Sequence, residues 1–226
     1  MTKANNCTLL KRKERIASVF PWLLMNDSCV NVRVVAATSK FAGDRIHTRL
    51  AHDKKWKVRE KVAVYTKNPM ILAFLANDSN ANVRAAVAHN EHTEKETLDV
   101  LAKDNYLIVL EGVISNENTD PDILDFFATK TDSFFDIAKE YSKYSKSREE
   151  SENCQNMSMY FCICIASNCN IKRETFERLM KHPNPMVRHE SLYNPKLTSV
   201  DAEKLMNDSD PSVRLKAKEM FEYLNR

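Results

Sequence analysis

Glycine is nearly missing from this chain: Gly43 and Gly112 are the only two in 226 residues, against about 7% in average proteins. That scarcity disfavours phosphate-cradling glycine loops, dinucleotide-binding turns and two-residue hairpins together. It leaves the turns to Asn, Asp, Ser and Pro, as in a helical protein. No run approaches the ~18 apolar residues of a membrane span, so no membrane partner is expected. The opening stretch MTKANNCTLLKRKERI has no apolar signal core, which predicts a cytoplasmic protein. In that compartment the six cysteines are reduced thiols rather than disulfides. Cys154, Cys162, Cys164 and Cys169 crowd together. Their spacing is not a paired CxxC, and residues two apart on a helix face different ways. No HExxH and no nucleophile elbow occurs. The expectation is a non-enzyme with no cofactor and no metal.

Charge is present in quantity but unevenly placed. The net formal charge is +3. Residues 1–67 carry +10, residues 68–155 carry −9 and residues 156–226 carry +2. A basic block followed by an acidic block predicts a charge-polarised surface.

What the chain has in abundance is one pattern. Leu75 to Asn90 reads LANDSNANVRAAVAHN. With its acid as position zero, the matches are Asp27, Asp53, Asp78, Asp104, His182 and Asp208. The steps are 26, 25, 26, 78 and 26. Three periods fill the long step, which predicts two degenerate repeats with zero positions near Lys130 and Asn156. Ile165-Ala166-Ser167-Asn168 matches Val87-Ala88-His89-Asn90 and supports the second.

Within a unit, Val83, Val87 and Ala88 form one apolar helix face. Asp78 is placed to accept from free amides at that helix's start. Asn90 is placed to stop it in the left-handed conformation. Thr93 with Glu96 predicts a capping box for the next helix, and Thr119/Asp122 and Thr198/Asp201 are acid variants of it.

Leu50-Ala51-His52-Asp53 with Val58-Arg59, Leu75-Ala76-Asn77-Asp78 with Val83-Arg84, and Leu205-Met206-Asn207-Asp208 with Val213-Arg214 carry a family resemblance. Leu24-Met25-Asn26-Asp27 with Val32-Arg33 reads the same way. The pattern resembles the variant leucine-rich repeat, a compact all-helical relative of HEAT repeats. The resemblance implies a longer helix alternating with a short, often 3₁₀, helix. Period and resemblance predict an all-α fold, a right-handed α-solenoid (superhelix) of about seven to eight repeats of ~26 residues. Residues 1–22 are expected to form an N-terminal capping helix and 23–128 the regular repeats. Residues 129–156 are expected to form a degenerate repeat with a polar loop, and 157–226 the C-terminal repeats and cap, closed by Met220, Phe221 and Leu224.

Recurrence sorts the tempting side chains. Asp27/Arg33, Asp53/Arg59, Asp78/Arg84 and Asp208/Arg214 recur in frame, so they are expected to form a ladder between stacked units. The ladder should break where Leu110 and Cys162 replace the arginine and His182 the acid. The residues that vary between units are the binding candidates: Arg12, Lys13, Lys54, Lys55, Trp56, Lys57, Lys61, His89, Met186 and Tyr193. Helices carrying the Val-Arg pair should expose Lys57, Lys61, Asn82, Ala86, His89 and Ile108 on one face. The leading expectation is a scaffold for a protein partner, its acidic surface facing the basic N-terminal half. Nucleic-acid binding through the same half, with Trp56 stacking, is the alternative. A DNA-processing enzyme on such a scaffold ranks below both.

Overall fold

The computed structural model describes residues 3–129 and 150–226, with side chains over 9–129 and 159–226. Its described residues form fifteen α-helices and no strand. The chain divides into two compact units, 1–113 and 114–226.

In the first unit α1 (Lys3–Val19) and α2 (Pro21–Leu24) precede α3 (Val30–Thr38), α4 (Asp44–Ala51) and α5 (Trp56–Tyr65). Then come α6 (Pro69–Leu75), α7 (Ala81–His89), α8 (Lys95–Leu101) and α9 (Leu107–Ser115), which runs across the division. The odd-numbered helices α3, α5 and α7 pack side by side. They bury the apolar pattern that recurs in each copy: Val32, Ala36 and Ala37; Val58, Val62 and Ala63; Val83, Val87 and Ala88 are all fully buried. Both members of each pair are α-helical. Helices this short are marginal alone, so this shared burial carries them.

Arginine and aspartate join consecutive copies. Arg33 donates through Nε and Nη2 to Asp53 at 2.5 and 2.9 Å. Arg59 does the same to Asp78 at 2.5 and 2.7 Å, and Arg84 to Asp104 at 2.6 and 3.1 Å. Each Nη1 turns back to the carbonyl of its own copy's acid: Arg33 to Asp27, Arg59 to Asp53, Arg84 to Asp78. Lys13 heads the series, donating to Asp27 at 2.7 Å, so this candidate binding residue is a rung instead. The acids do not cap the helices directly. Asp27, Asp53, Asp78 and Asp104 each accept from the amide two residues on. At α7 the cap is Asn80, which accepts from the Asn82 amide.

Asparagine makes a second stitch. Asn90 ends α7 with extended backbone, φ −75° and ψ 125°, not left-handed. Its Nδ2 donates to the carbonyls of Ala63 and Thr66 at 2.7 and 2.9 Å, and its Oδ1 accepts from the His92 amide. Ser39 and Thr66 hold the same place in earlier copies, each accepting from the amide two residues on. The capping box expected at Thr93 does not form: the Thr93 hydroxyl donates to the Val87 carbonyl, and the cap position falls on Glu94.

The second unit contains α10 (Pro121–Thr129), α11 (Glu150–Ser167), α12 (Arg173–Leu179), α13 (Pro185–Ser191), α14 (Ser199–Leu205) and α15 (Pro211–Leu224). Asn168, after α11, donates to the carbonyls of Ile114 and Asn116, and Asn194 to those of Ala166 and Asn168. Asp125 of α10 accepts from Thr175 and Arg178 of α12. Asn168 thus makes the asparagine stitch of the repeat predicted near Asn156. The repeat predicted near Lys130 falls on residues 130–149, which lie outside the described residues. Of the expected polar loop, 150–156 already belong to α11. The Thr198/Asp201 capping box is formed. At Thr119/Asp122 it is Asp120 that accepts from the Asp122 amide.

Arg188 forks onto Asp208 at 2.7 Å through both Nε and Nη2, and donates to the His182 carbonyl. This rung was not expected, although Arg188 sits six residues after His182, in frame. His182 keeps only the local half of the acid's role: its Nδ1 accepts from the Asn184 amide at 3.1 Å. Burial holds its pKa below the ordinary 6.5. Leu110 and Cys162 are buried without a guanidinium. Arg214 donates to the Asp208 and Ser209 carbonyls. At the C-terminal end Met220 and Phe221 are half-buried and Leu224 is exposed, so the predicted closure is partial.

Removing the Asn90 amide strands buried carbonyls, each loss being worth ~1–3 kcal/mol. Asn90→Ala is expected to lower unfolding free energy by about 2–4 kcal/mol, measured by urea denaturation; Asn77→Ala, exposed on α6's turn, should change it by less than about 0.5.

The rungs also set a pH dependence. At Asp78 burial pushes the carboxyl up, but the Arg59 fork, the Asn80 amide and both arginine charges together hold it below its ordinary 3.8. At Asp208 the Arg188 fork leads and the net direction is again down. A depressed carboxylate binds fewer protons folded than unfolded. Its stabilisation is complete above the unfolded value and is lost as pH falls through the folded one. The urea midpoint should therefore drop steeply below about pH 4, and less steeply in Asp78→Asn, compared over the same pH series.

Candidate partner-binding face

The fork and the stitch occupy set positions on each Val-Arg helix and leave others open. Counted from Arg84, residues 82, 85, 86 and 89 fall on the side of α7 away from Val83 and Val87. Together with their equivalents on α5 and α9 they line a groove of about 430 Å³. Its walls are Glu60 and Val64 of α5, Asn82, Ala86 and His89 of α7, and Ile108 and Glu111 of α9. Ala85 and the Asn90 stitch form the floor. Four residues expected on this face, Asn82, Ala86, His89 and Ile108, line the groove, and the sequence signal for them was equivalence within the frame. Lys57 and Lys61 occupy the matching positions on α5; Lys61 lies 3.7 Å from Glu60.

Small residues make the groove. Ala85 and Ala86 take the place of Glu60 and Lys61 one copy earlier. Gly112 holds the position of Ala86 one copy later. A Cβ on Gly112 would stand 2.6 Å from the Ala88 Cβ and 3.1 Å from His89 Cδ2. Gly112 therefore lets α9 lie close against α7, whose His89 lines the groove.

The basic tract does not form one patch. Lys54 and Lys55 lie in the turn before α5 and line a hollow on the ladder edge with Arg33, Arg49 and Asp53. Lys57 projects from α5 itself, its Nζ 5.8 Å from the centre of the half-buried Trp56 ring. Arg12 is exposed on α1. Met186 and Tyr193 are exposed in the second unit, where Lys216 Nζ stands 4.6 Å from the Tyr193 ring and His189 packs on the same ring at 5.6 Å. The candidates thus belong to three places in the first unit and one in the second.

Among the described residues no group of three His, Cys, Asp or Glu side chains is placed to hold a metal ion. Burial pushes the Cys162 thiol up to about 11, so it stays protonated near neutrality and offers no thiolate. No described helix is long and apolar enough to cross a membrane.

These features define an all-helical repeat protein, a class that rests on the recurring rungs themselves. Among solved structures the chain is similar to a leucine-rich repeat variant with a novel repetitive structural motif. The identity is 18%, the TM-score 0.42, and the match covers 93% of this chain and 82% of that one. No family model and no curated protein matches the chain.

Adding one methyl at Gly112 tests the groove's construction. Overpacking costs about 1–3 kcal/mol, while replacing a helical glycine by alanine recovers at most about 1 kcal/mol. Gly112→Ala should therefore lower stability by about 1–2 kcal/mol, whereas Gly43→Ala, with nothing within 4 Å, should not; thermal melts of the two variants decide it.

Proposed function

We propose that the protein is a non-enzymatic scaffold that binds a partner protein through the face of its Val-Arg helices, centred on the groove between α5, α7 and α9. The single observation that carries this reading is that groove, with Ala85 and Ala86 where the neighbouring copy has Glu60 and Lys61. Small apolar residues beside polar walls form a surface that a side chain can enter, and repeat stacks use such faces for recognition. The partner segment is apolar where it meets Ala85, Ala86 and Ile108, and acidic where it meets Lys57 and Lys61. The division of the basic tract between the ladder edge and the α5 face favours a protein over a nucleic-acid backbone, which needs one continuous cationic path.

Ala86→Arg fills the groove without touching the core. It should reduce partner capture from native lysate at least about tenfold, with nuclease present throughout, as a central interface lesion does. Lys57→Glu/Lys61→Glu should weaken the same capture and reduce its salt dependence. Capture by Ala86→Arg equal to that of the unaltered chain, or capture abolished by nuclease alone, would overturn the reading.

A further inference from the structure

A second surface, sharing no residue with that groove, lies at the amino-terminal end. The end of a repeat stack normally presents a polar outer face. Here residues 1–22 were expected to cap by burial, yet Leu9 is 50% exposed, Val19 42% and Phe20 45%. Trp22 at 52% and Leu23 at 63% follow on α2. Phe41, in the turn after α3, is 50% exposed. These residues form a neighbourhood. The Phe20 and Trp22 rings meet edge-on at 5.5 Å. The Ser39 hydroxyl donates to the Ser18 carbonyl at 2.6 Å and ties the turn carrying Phe41 to the foot of α1.

Cations are interleaved with them. Lys11, Arg12 and Arg15 are exposed along α1, and Lys40 Nζ lies 5.1 Å from the Phe41 ring. The nearby acids are fewer: Asp27 is held by Lys13, Glu14 is half-buried, and Asp44 is exposed with a hydrogen bond from the neutral Asn68 amide. Single exposed apolar residues need no explanation, but aromatic and leucine side chains gathered among mostly positive charge do.

We infer that this end docks on an anionic membrane surface. Phe20, Trp22, Leu23 and Phe41 enter the interfacial layer, while Arg12, Arg15 and Lys40 meet the headgroups. Charge complementarity selects this occupant. A second copy meeting the same end would bring four more cations, Lys11, Arg12, Arg15 and Lys40, with only Glu14 and Asp44 to answer them. An acidic protein would answer the cations but would need a separate pocket for each protruding ring. A bilayer interface accepts aromatic rings without a matching shape and supplies negative charge beside them. The contact is peripheral, on the surface and not across it.

The test uses the full chain carrying Trp56→Phe, which leaves Trp22 as the one tryptophan. Vesicles of phosphatidylcholine alone are compared with vesicles containing roughly a third phosphatidylserine, at low and high salt. The expected result is co-sedimentation with the anionic vesicles only, weakened at least tenfold by high salt, with a blue shift of Trp22 emission. Arg12→Glu/Arg15→Glu, and in the Trp56 background Leu23→Ser/Phe41→Ser, should each lower vesicle affinity about tenfold or more while the circular-dichroism melt is unchanged. No anionic-vesicle binding at low salt overturns the proposal, as does binding that both variants leave intact. A Trp22 shift produced by poly-L-glutamate and not by vesicles would assign the surface to an acidic protein instead. A shift that follows protein concentration without vesicles would assign it to a second copy. Partner capture through Ala86 is measured separately, so either proposal can fail alone.

Discussion

The fold depends on one fork: an arginine that holds its own copy's backbone with one nitrogen and the next copy's carboxylate with two. A partly buried ion pair is a poor source of stability when its remaining donors and acceptors are unmet. Here they are met. Arg59 spends Nη1 on the Asp53 carbonyl and Nε and Nη2 on Asp78, while Asp78 also accepts the Asn80 amide. The same group therefore shapes the turn within a copy and fixes the distance to its neighbour. Lysine has a point charge and no planar fork, and Lys13 on α1 accordingly meets Asp27 through a single bond.

The fork can be lost because something else persists. At 110 and 162 the arginine gives way to buried Leu and Cys. Replacing a buried ion pair by an apolar group of suitable volume is often neutral, whereas a carboxylate left without its arginine would be costly. At 182 the acid is accordingly absent as well, and histidine keeps the turn by accepting one amide. The asparagine stitch continues past these gaps through Asn168 and Asn194. A neutral amide donating to two carbonyls needs no countercharge, so it tolerates the loss of the neighbouring rung.

The frame was legible because repetition turns a weak local signal into a strong one. Asp27, Asp53, Asp78 and Asp208 were readable as one position, and so were Asn82, Ala86, His89 and Ile108 as one face. What failed was local pattern. Three periods of 26 fit between Asp104 and His182, and the stitch made by Asn168 bears out the copy near Asn156. Thr93 with Glu96 has the letters of a capping box, but the helix starts one residue later, with Glu94 at the cap position, and the Thr93 hydroxyl donates to the Val87 carbonyl. Lys54 and Lys57 are three apart in sequence and separate on the surface, because the turn ends and the helix begins between them. Phe20 was legible only as part of a buried cap, and Trp22 and Phe41 carried no signal.

That last failure indicates where function resides on such a scaffold. Positions bound by the fork, the stitch and the valine core can change only within narrow chemistry. The position two residues before the arginine is under none of these constraints. It runs Asn31, Lys57, Asn82 and Ile108 through the first unit and Tyr160, Met186 and Ser212 through the second. Polar, cationic, apolar and aromatic groups succeed one another on identical backbone. A helical repeat thus separates the residues that build the stack from those that address a partner, and α1, which holds no Val-Arg pair, stands outside the frame altogether. Both proposed surfaces lie in these two unconstrained regions, the one along the helix face and the other at the amino-terminal end.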